Sequence, residues 1–137
     1  MGITRLNVYA GLAGLYEIVE NTCQNKSPES NIEKYYGKLE RLYFVVADKS
    51  FYKNGELYYP DQSLSPSYTS WVPEFFGNMI TVNGKVWPKV QLRKKIYRMA
   101  FLNACQGRFL NFFFVESCTK KKVPFKLIRV EGDFFPK

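Results

Sequence analysis

Met79-Ile80-Thr81-Val82-Asn83-Gly84-Lys85-Val86-Trp87-Pro88 decides the fold class. Two short runs straddle Asn83-Gly84, and an Asn-Gly pair supplies the positive φ angles that a tight primed turn demands. A β-hairpin is the expectation, with Pro88 ending its outgoing strand. The same grammar occurs upstream, where Phe51-Tyr52 and Leu57-Tyr58-Tyr59 flank Lys53-Asn54-Gly55-Glu56. That spacing predicts another hairpin. Just before it, Arg41 to Asp48 packs Leu42, Tyr43, Phe44, Val45, Val46 and Ala47 into an apolar run bounded by charges, which suits a strand buried on both faces.

Further out the signals weaken. Lys95 to Leu102 shows rough alternation, Phe109 to Val115 is a dense aromatic run, and Val123 to Val130 carries Phe125, Leu127, Ile128 and Val130. All three are strand candidates. Toward the N-terminus, Gly2 to Ala13 is small and apolar with Gly11 and Gly14 as punctuation, and Leu15, Tyr16, Ile18 and Val19 read as a short strand. Glu20 to Gly37 is polar and reads as a linker or surface loop, and Pro60 to Tyr68 reads as a loop. Roughly six short strands, without an internal repeat or a sustained helical period, spell a sandwich or barrel.

Composition agrees. At 137 residues the chain has room for one domain or parts of two. Hydrophobic residues at 46% and charged residues at 23% belong to a folded protein. Aromatics at 18%, including 12 Phe and 10 Tyr, favour sheet. The net charge of +8 invites a nucleic-acid reading, but the basic residues cluster as Arg93-Lys94-Lys95 and Lys120-Lys121-Lys122, runs short enough to be solvated strand edges or turns. No convincing nucleic-acid site emerges. No apolar run approaches the ~20 residues of a membrane span, and Met1 to Leu15 lacks the pattern of a signal peptide.

The chain has no histidine. Histidine dyads, imidazole-ligated zinc sites and serine triads are therefore excluded, leaving carboxylates, lysines, tyrosines and thiols, which form no recognisable constellation. Cys23, Cys105 and Cys118 match no zinc or redox spacing, and their odd number leaves at least one unpaired within the chain. A Cys105–Cys118 bridge requires the two to face each other across a hairpin; buried or free thiols are the simpler reading. Gly11 and Gly14 make no phosphate loop, because no Lys-Ser/Thr follows them. Asn25-Lys26-Ser27 is formally a glycosylation sequon, weakened by Pro28. Glu74, in Trp71-Val72-Pro73-Glu74-Phe75-Phe76-Gly77, is a carboxylate set among aromatics. It offers a hard oxygen ligand for a cation such as ferrous iron, or is a loop carboxylate paired with an arginine or with backbone N–H groups.

Four stretches carry a resemblance. They are Thr4-Arg5-Leu6-Asn7-Val8-Tyr9-Ala10-Gly11-Leu12-Ala13-Gly14 with Tyr16 and Ile18; Asp48-Lys49-Ser50-Phe51 with Asn54-Gly55 and Tyr59-Pro60; Pro73-Glu74-Phe75-Phe76-Gly77 running into Val82-Asn83-Gly84-Lys85-Val86-Trp87-Pro88; and Tyr97-Arg98 through Asn103-Ala104 to Arg108-Phe109. In this order they resemble the multicopper oxidases of the spore coat protein A and bilirubin oxidase branch, including the plant low-phosphate-root proteins. Cys105 stands where that family has a serine. Beyond Val115 the likeness is looser, although Gly132-Asp133-Phe134-Phe135-Pro136 looks like a strand end of the second domain.

The resemblance implies an all-β fold, a cupredoxin-like Greek-key β-sandwich that is incomplete here: residues 1–20 as the end of the first domain, 21–38 as linker and 39–137 as part of the copper-free second domain. It implies copper in the parent, held mainly by histidines, with one copper oxidising the substrate and a three-copper cluster reducing oxygen to water. Met1-Gly2 stands where the family runs on from a His-x-His motif, so the expectation is a chain cut from an oxidase, with no catalytic or metal residues of its own, inactive alone and partnered by the remainder of the parent. Glu74 would be a substrate-side contact. Phenols, bilirubin and ferrous iron all remain open as the parent's substrate. Cut edges imply poor solubility or dependence on a partner. The alternative is a copper-free β-sandwich module with a basic, aromatic surface for nucleic acid or glycans.

Overall fold

The structure, a computed structural model, describes residues 4–18, 28–60, 72, 74–131 and 133–134. Cys23, the sequon at 25–27, most of the 60–68 loop, Trp71, Pro73, and Gly132, Phe135 and Pro136 lie outside the described residues. The chain divides into two compact units, one formed by Met1–Val19 with Leu39–Phe109 and the other by Glu20–Lys38 with Leu110–Lys137.

The first unit is built on a four-stranded sheet in the order β3-β2-β1-β4. Its centre is β1 (Glu40–Lys49), the apolar run expected to be buried on both faces; of its apolar residues only Val46 and Ala47 are buried, Leu42, Phe44 and Val45 are half-buried and Tyr43 is exposed, because the sheet is covered only near the end of the strand. It pairs antiparallel with β2 (Met79–Val82) and parallel with β4 (Tyr97–Asn103), Val46 lying opposite both Val82 and Asn103. The β2–β3 hairpin, with β3 at Lys85–Val86, turns on Asn83 (φ 49°) and Gly84 (φ 78°). Two positive φ angles in succession are what a primed turn requires. Asn83 does more than turn. Its Oδ1 accepts from Val45 N at 2.8 Å and its Nδ2 donates to Tyr43 O at 2.9 Å, so a side chain continues the ladder along β1. The Asn54-Gly55 turn also forms, with Gly55 at φ 89°, but only one bridge, Phe51 to Leu57, extends from it.

Residues 4–10, read from sequence as a small apolar bend, are instead a helix, α1 (Thr4–Ala10). Gly11 (φ 117°) ends it: Gly11 N bonds Val8 O at 3.0 Å and Leu12 N bonds Asn7 O at 2.9 Å, the paired 5→2 and 6→1 bonds of a Schellman cap. No strand forms at 15–18; that stretch has no regular secondary structure and is exposed at Tyr16 and Ile18. The core of the unit is small. Tyr9, Val46, Ala47, Phe75 and Ala104 are its buried apolar residues, joined by Asp48, Ser50 and Thr81.

In the second unit, α2 (Pro28–Tyr36) occupies most of what reads as a polar loop, stopped by Gly37 at φ 70°. Pro at the first helical position and Gly just past the last are helix-boundary signals. The aromatic run contributes strand only at β5 (Phe114–Val115), which pairs with β6 (Lys122–Val123). The expected strand from Val123 to Val130 is broken, leaving β7 (Arg129–Val130) paired with β8 (Asp133–Phe134). None of this unit's described residues is fully buried.

Candidate functional site

Four segments meet at the end of β1. Asp48 has no exposed side-chain surface; its Oδ2 accepts from Gly77 N at 2.7 Å and from Arg108 Nε at 3.1 Å. Arg108 closes the ring by donating from its second nitrogen to Gly77 O at 2.8 Å, with its guanidinium 5.5 Å from the Phe76 ring. A buried carboxylate needs such partners, because its desolvation is not otherwise offset. Gly77 has to be glycine: a Cβ there would lie 2.3 Å from Lys49 N and 2.7 Å from Asp48 C. Two backbones therefore cross in direct contact, and the loop carrying Glu74 is stapled to β1.

On the other side of this junction α1 is clasped by Tyr9. Its hydroxyl accepts from Ser50 N at 3.0 Å and donates to Tyr58 O at 2.5 Å. Its ring meets Phe75 edge-on at 4.9 Å and Tyr59 at 5.5 Å. Lys49 Nζ donates to Tyr9 O and sits 4.9 Å from the ring centroid. Burial pushes the Tyr9 hydroxyl above its ordinary range and pulls the Lys49 ammonium below its own.

Glu74 itself is exposed, with its stem against Gly107, where a Cβ would come within 3.3 Å of Glu74 Cβ. Among the described residues none ion-pairs with its carboxylate. Arg108, one residue beyond Gly107, is committed to Asp48 and Gly77. Cys105 and Cys118 are both free thiols, so the bridge between them does not form. Burial first, then the neighbouring Asp48, pushes the Cys105 thiol from 9.0 up to about 11, so at neutral pH it is protonated. The basic runs sit where solvated edges and turns were expected. Lys95 pairs with Glu40 ahead of β4, and Lys120 to Lys122 turn β5 into β6.

Sequence reading missed a second cluster. Glu17 places Oε1 3.4 Å from Arg98 and Oε2 3.4 Å from Arg41, and Tyr43 Oη donates to the same Oε2 at 2.7 Å. These residues are 24 to 81 positions apart, so no local pattern announces them. The available clue was that Arg41 and Tyr43, two apart on one strand, share a face.

Copper is the metal the resemblance implies, and these residues do not fit it. The sequence holds no histidine. Among the described residues no group of three or more Cys, Asp or Glu converges. Asp48, the most buried carboxylate, has one oxygen already held by two donors. No described helix is long and apolar enough to cross a membrane.

Fold and junction together define a β-rich, cupredoxin-like segment. No family model matches the chain, but individual proteins do. It is 37% identical to multicopper oxidase LPR1 of Arabidopsis thaliana over 115 residues, 83% of this chain and 19% of that protein. It is 30% identical to the LPR1 homolog 1 of Oryza sativa subsp. japonica across 100% of this chain and 22% of that protein. A laccase of Bacillus subtilis is 36% identical over 81% of this chain and 21% of its own length. Among solved structures, a variant of the McoA multicopper oxidase from Aquifex aeolicus superposes with a TM-score of 0.57 at 30% identity, covering 78% of this chain and 21% of that one. The chain belongs to the multicopper oxidase family. It spans about a fifth of the length of the relatives it matches.

Proposed function

We propose that this chain is a non-catalytic scaffold segment of a multicopper oxidase, in which residues 1–20 close the first cupredoxin-like domain, 21–38 link, and 39–137 begin the second. The observation that carries this reading is the Tyr9 clasp: α1 is fastened by hydrogen bonds to the backbone of Ser50 and Tyr58 and by ring contacts to Tyr59 and Phe75. A segment whose task is to hold two domains in register needs such a joint and no redox centre. The copper ligands and the oxygen-reducing chemistry belong, in this reading, to the rest of the oxidase. Glu74, exposed and without an ion-pair partner among the described residues, is the candidate contact for a metal-ion substrate.

Two measurements test the proposal. The purified chain, exposed to Cu(II) and desalted, is expected to retain no stoichiometric copper and to consume no oxygen with a phenol or with ferrous iron; tight copper binding with turnover would overturn the reading. A Bacillus subtilis laccase whose matching segment is replaced by this one is expected to keep its copper and its oxygen uptake. A folded chimera that has lost its copper counts against a scaffold role.

A further inference from the structure

The side chain of Asp48 has no exposed surface, and both donors that reach it, Gly77 N and Arg108 Nε, meet the same oxygen, Oδ2. Its Oδ1, equally buried, has no hydrogen-bond partner among the described residues. A charged oxygen withdrawn from water without a donor is destabilising. The surrounding donors are committed elsewhere: Arg108 Nη2 to Gly77 O, Lys49 Nζ to Tyr9 O and Asn78 N to Ser50 Oγ. One group remains beside it. Val46 lies opposite Asn103, Ala104 N bonds Val46 O at 2.7 Å, and Asp48 and Cys105 each stand two residues further on, so the chain leaving β4 brings the thiol alongside the carboxylate. Burial first, then the Asp48 charge and a hydrogen bond to its side chain, keep the proton on this sulfur. Cys105 Sγ also lies 3.9 Å from Val46 O, but that oxygen already accepts from Ala104 N. A thiol hydrogen rotates to suit its surroundings, and a charged acceptor draws it more strongly than a carbonyl already in use.

We propose that the Cys105 thiol donates to Asp48 Oδ1 and is thereby a positioning residue, completing the junction that holds the 74–77 loop against β1. Both carboxylate oxygens are then satisfied, Oδ2 by Gly77 N and Arg108, Oδ1 by Cys105. What the junction presents is Glu74, whose stem rests on Gly107, two residues after Cys105. Cys105 therefore helps to fix the carboxylate that the scaffold reading offers to a metal-ion substrate. That consequence rests on the reading of Glu74; the hydrogen bond does not. A donor is also separable from a filler, because a sulfur that only packed would be replaced by alanine at least as well as by serine.

Two measurements on the full chain decide. With Cys23→Ser and Cys118→Ser in place, Cys105 is the sole thiol, and its S–H stretch in the infrared is expected at lower frequency in the folded chain than in the same chain unfolded in urea, because a carboxylate polarises the bond more than water does. A folded-state band at or above the unfolded one overturns the proposal. Amide exchange at Gly77 reads how firmly Asp48 holds that N–H. Cys105→Ala, which removes the donor, is expected to speed it about tenfold, whereas Cys105→Ser, which keeps one, should leave it within about twofold of the parent. Equal acceleration in both variants makes the sulfur a filler and overturns the proposal, as does no acceleration in either. Should Cys105→Ala not fold, the infrared band alone decides. Neither measurement involves a metal ion or oxygen, so the hydrogen bond holds or fails independently of what Glu74 contacts.

Discussion

Asp48 and Cys105 show how far a residue's chemistry is set by what surrounds it. Asp48 is sealed from water and keeps its charge tolerable through Arg108 and Gly77 N. Arg108→Ala would strip the buried carboxylate of its counter-charge. Breaking a fully buried pair costs about 3–5 kcal/mol, and the 36% exposure of Arg108 lowers the expectation to about 2–3 kcal/mol, read as a drop in urea midpoint. Cys105 is raised to about 11 in the fold from 9.0, so between those values the unfolded chain releases a proton that the folded chain keeps. Stability contributed by the thiol is whole below pH 9 and is lost as pH rises toward 11. Tyr9, also raised, acts in the same direction above 10.0, whereas the lowered Lys49 opposes them, adding stability as pH climbs toward 10.5. Thermal melts from pH 8 to 11 should therefore separate the Cys105→Ser variant, with its shallower alkaline decline, from the parent; superimposable curves would refute the assignment. At pH 8 iodoacetamide should label exposed Cys118 well before Cys105.

Among elements, α1 is clasped through Tyr9, with Lys49 donating to Tyr9 O and Gln106 to Arg5 O beside it. Tyr9→Phe keeps the ring contacts but leaves Ser50 N and Tyr58 O without the hydroxyl, an expected loss of about 1–3 kcal/mol concentrated on the helix. Amide exchange across residues 4–12 should rise more than across β1; a uniform rise would mean that the clasp is not local. Gly77→Ala forces apart two crossing backbones and is expected to cost about 3 kcal/mol. The β2–β3 hairpin and β1 were legible in the sequence because their causes are local, an Asn-Gly pair and one apolar run. The helices were missed for equally physical reasons. α1 buries only Tyr9 among its described residues, so it shows no apolar stripe, and Gly11 looks like any bend until its capping bonds are seen. In α2 the boundary signals Pro28 and Gly37 were present but outweighed by polar composition. Glu74 could be singled out for a proposal because it lies in a recognisable motif; the Asp48–Arg108 and Glu17 clusters could not, since pairs 60 and 81 residues apart leave no trace in a local window.

At the scale of the whole molecule, many large apolar side chains are exposed among the described residues. β4 is a seven-residue strand at the edge of its sheet, paired on one side by β1. In the second unit Phe112, Phe113, Phe125 and Leu127 are 43%, 60%, 54% and 55% exposed, with Lys122 5.1 Å from the Phe113 ring. Open edges recruit strands, and exposed aromatic side chains can recruit partners. In the scaffold reading, the rest of the oxidase covers these surfaces; without it, copies of the chain should cover one another. Light scattering behind gel filtration is expected to give a mass above 16.0 kDa that grows with concentration. Ammonium sulfate should increase it, because excluded salts strengthen apolar burial, whereas association driven by the lysine runs would weaken as salt rises. Phe113→Ser combined with Phe125→Ser should shift the mass back toward a monomer. A monomer at every concentration and salt would mean that the exposed aromatics are already reconciled with water, and the need for a covering partner would fall with them.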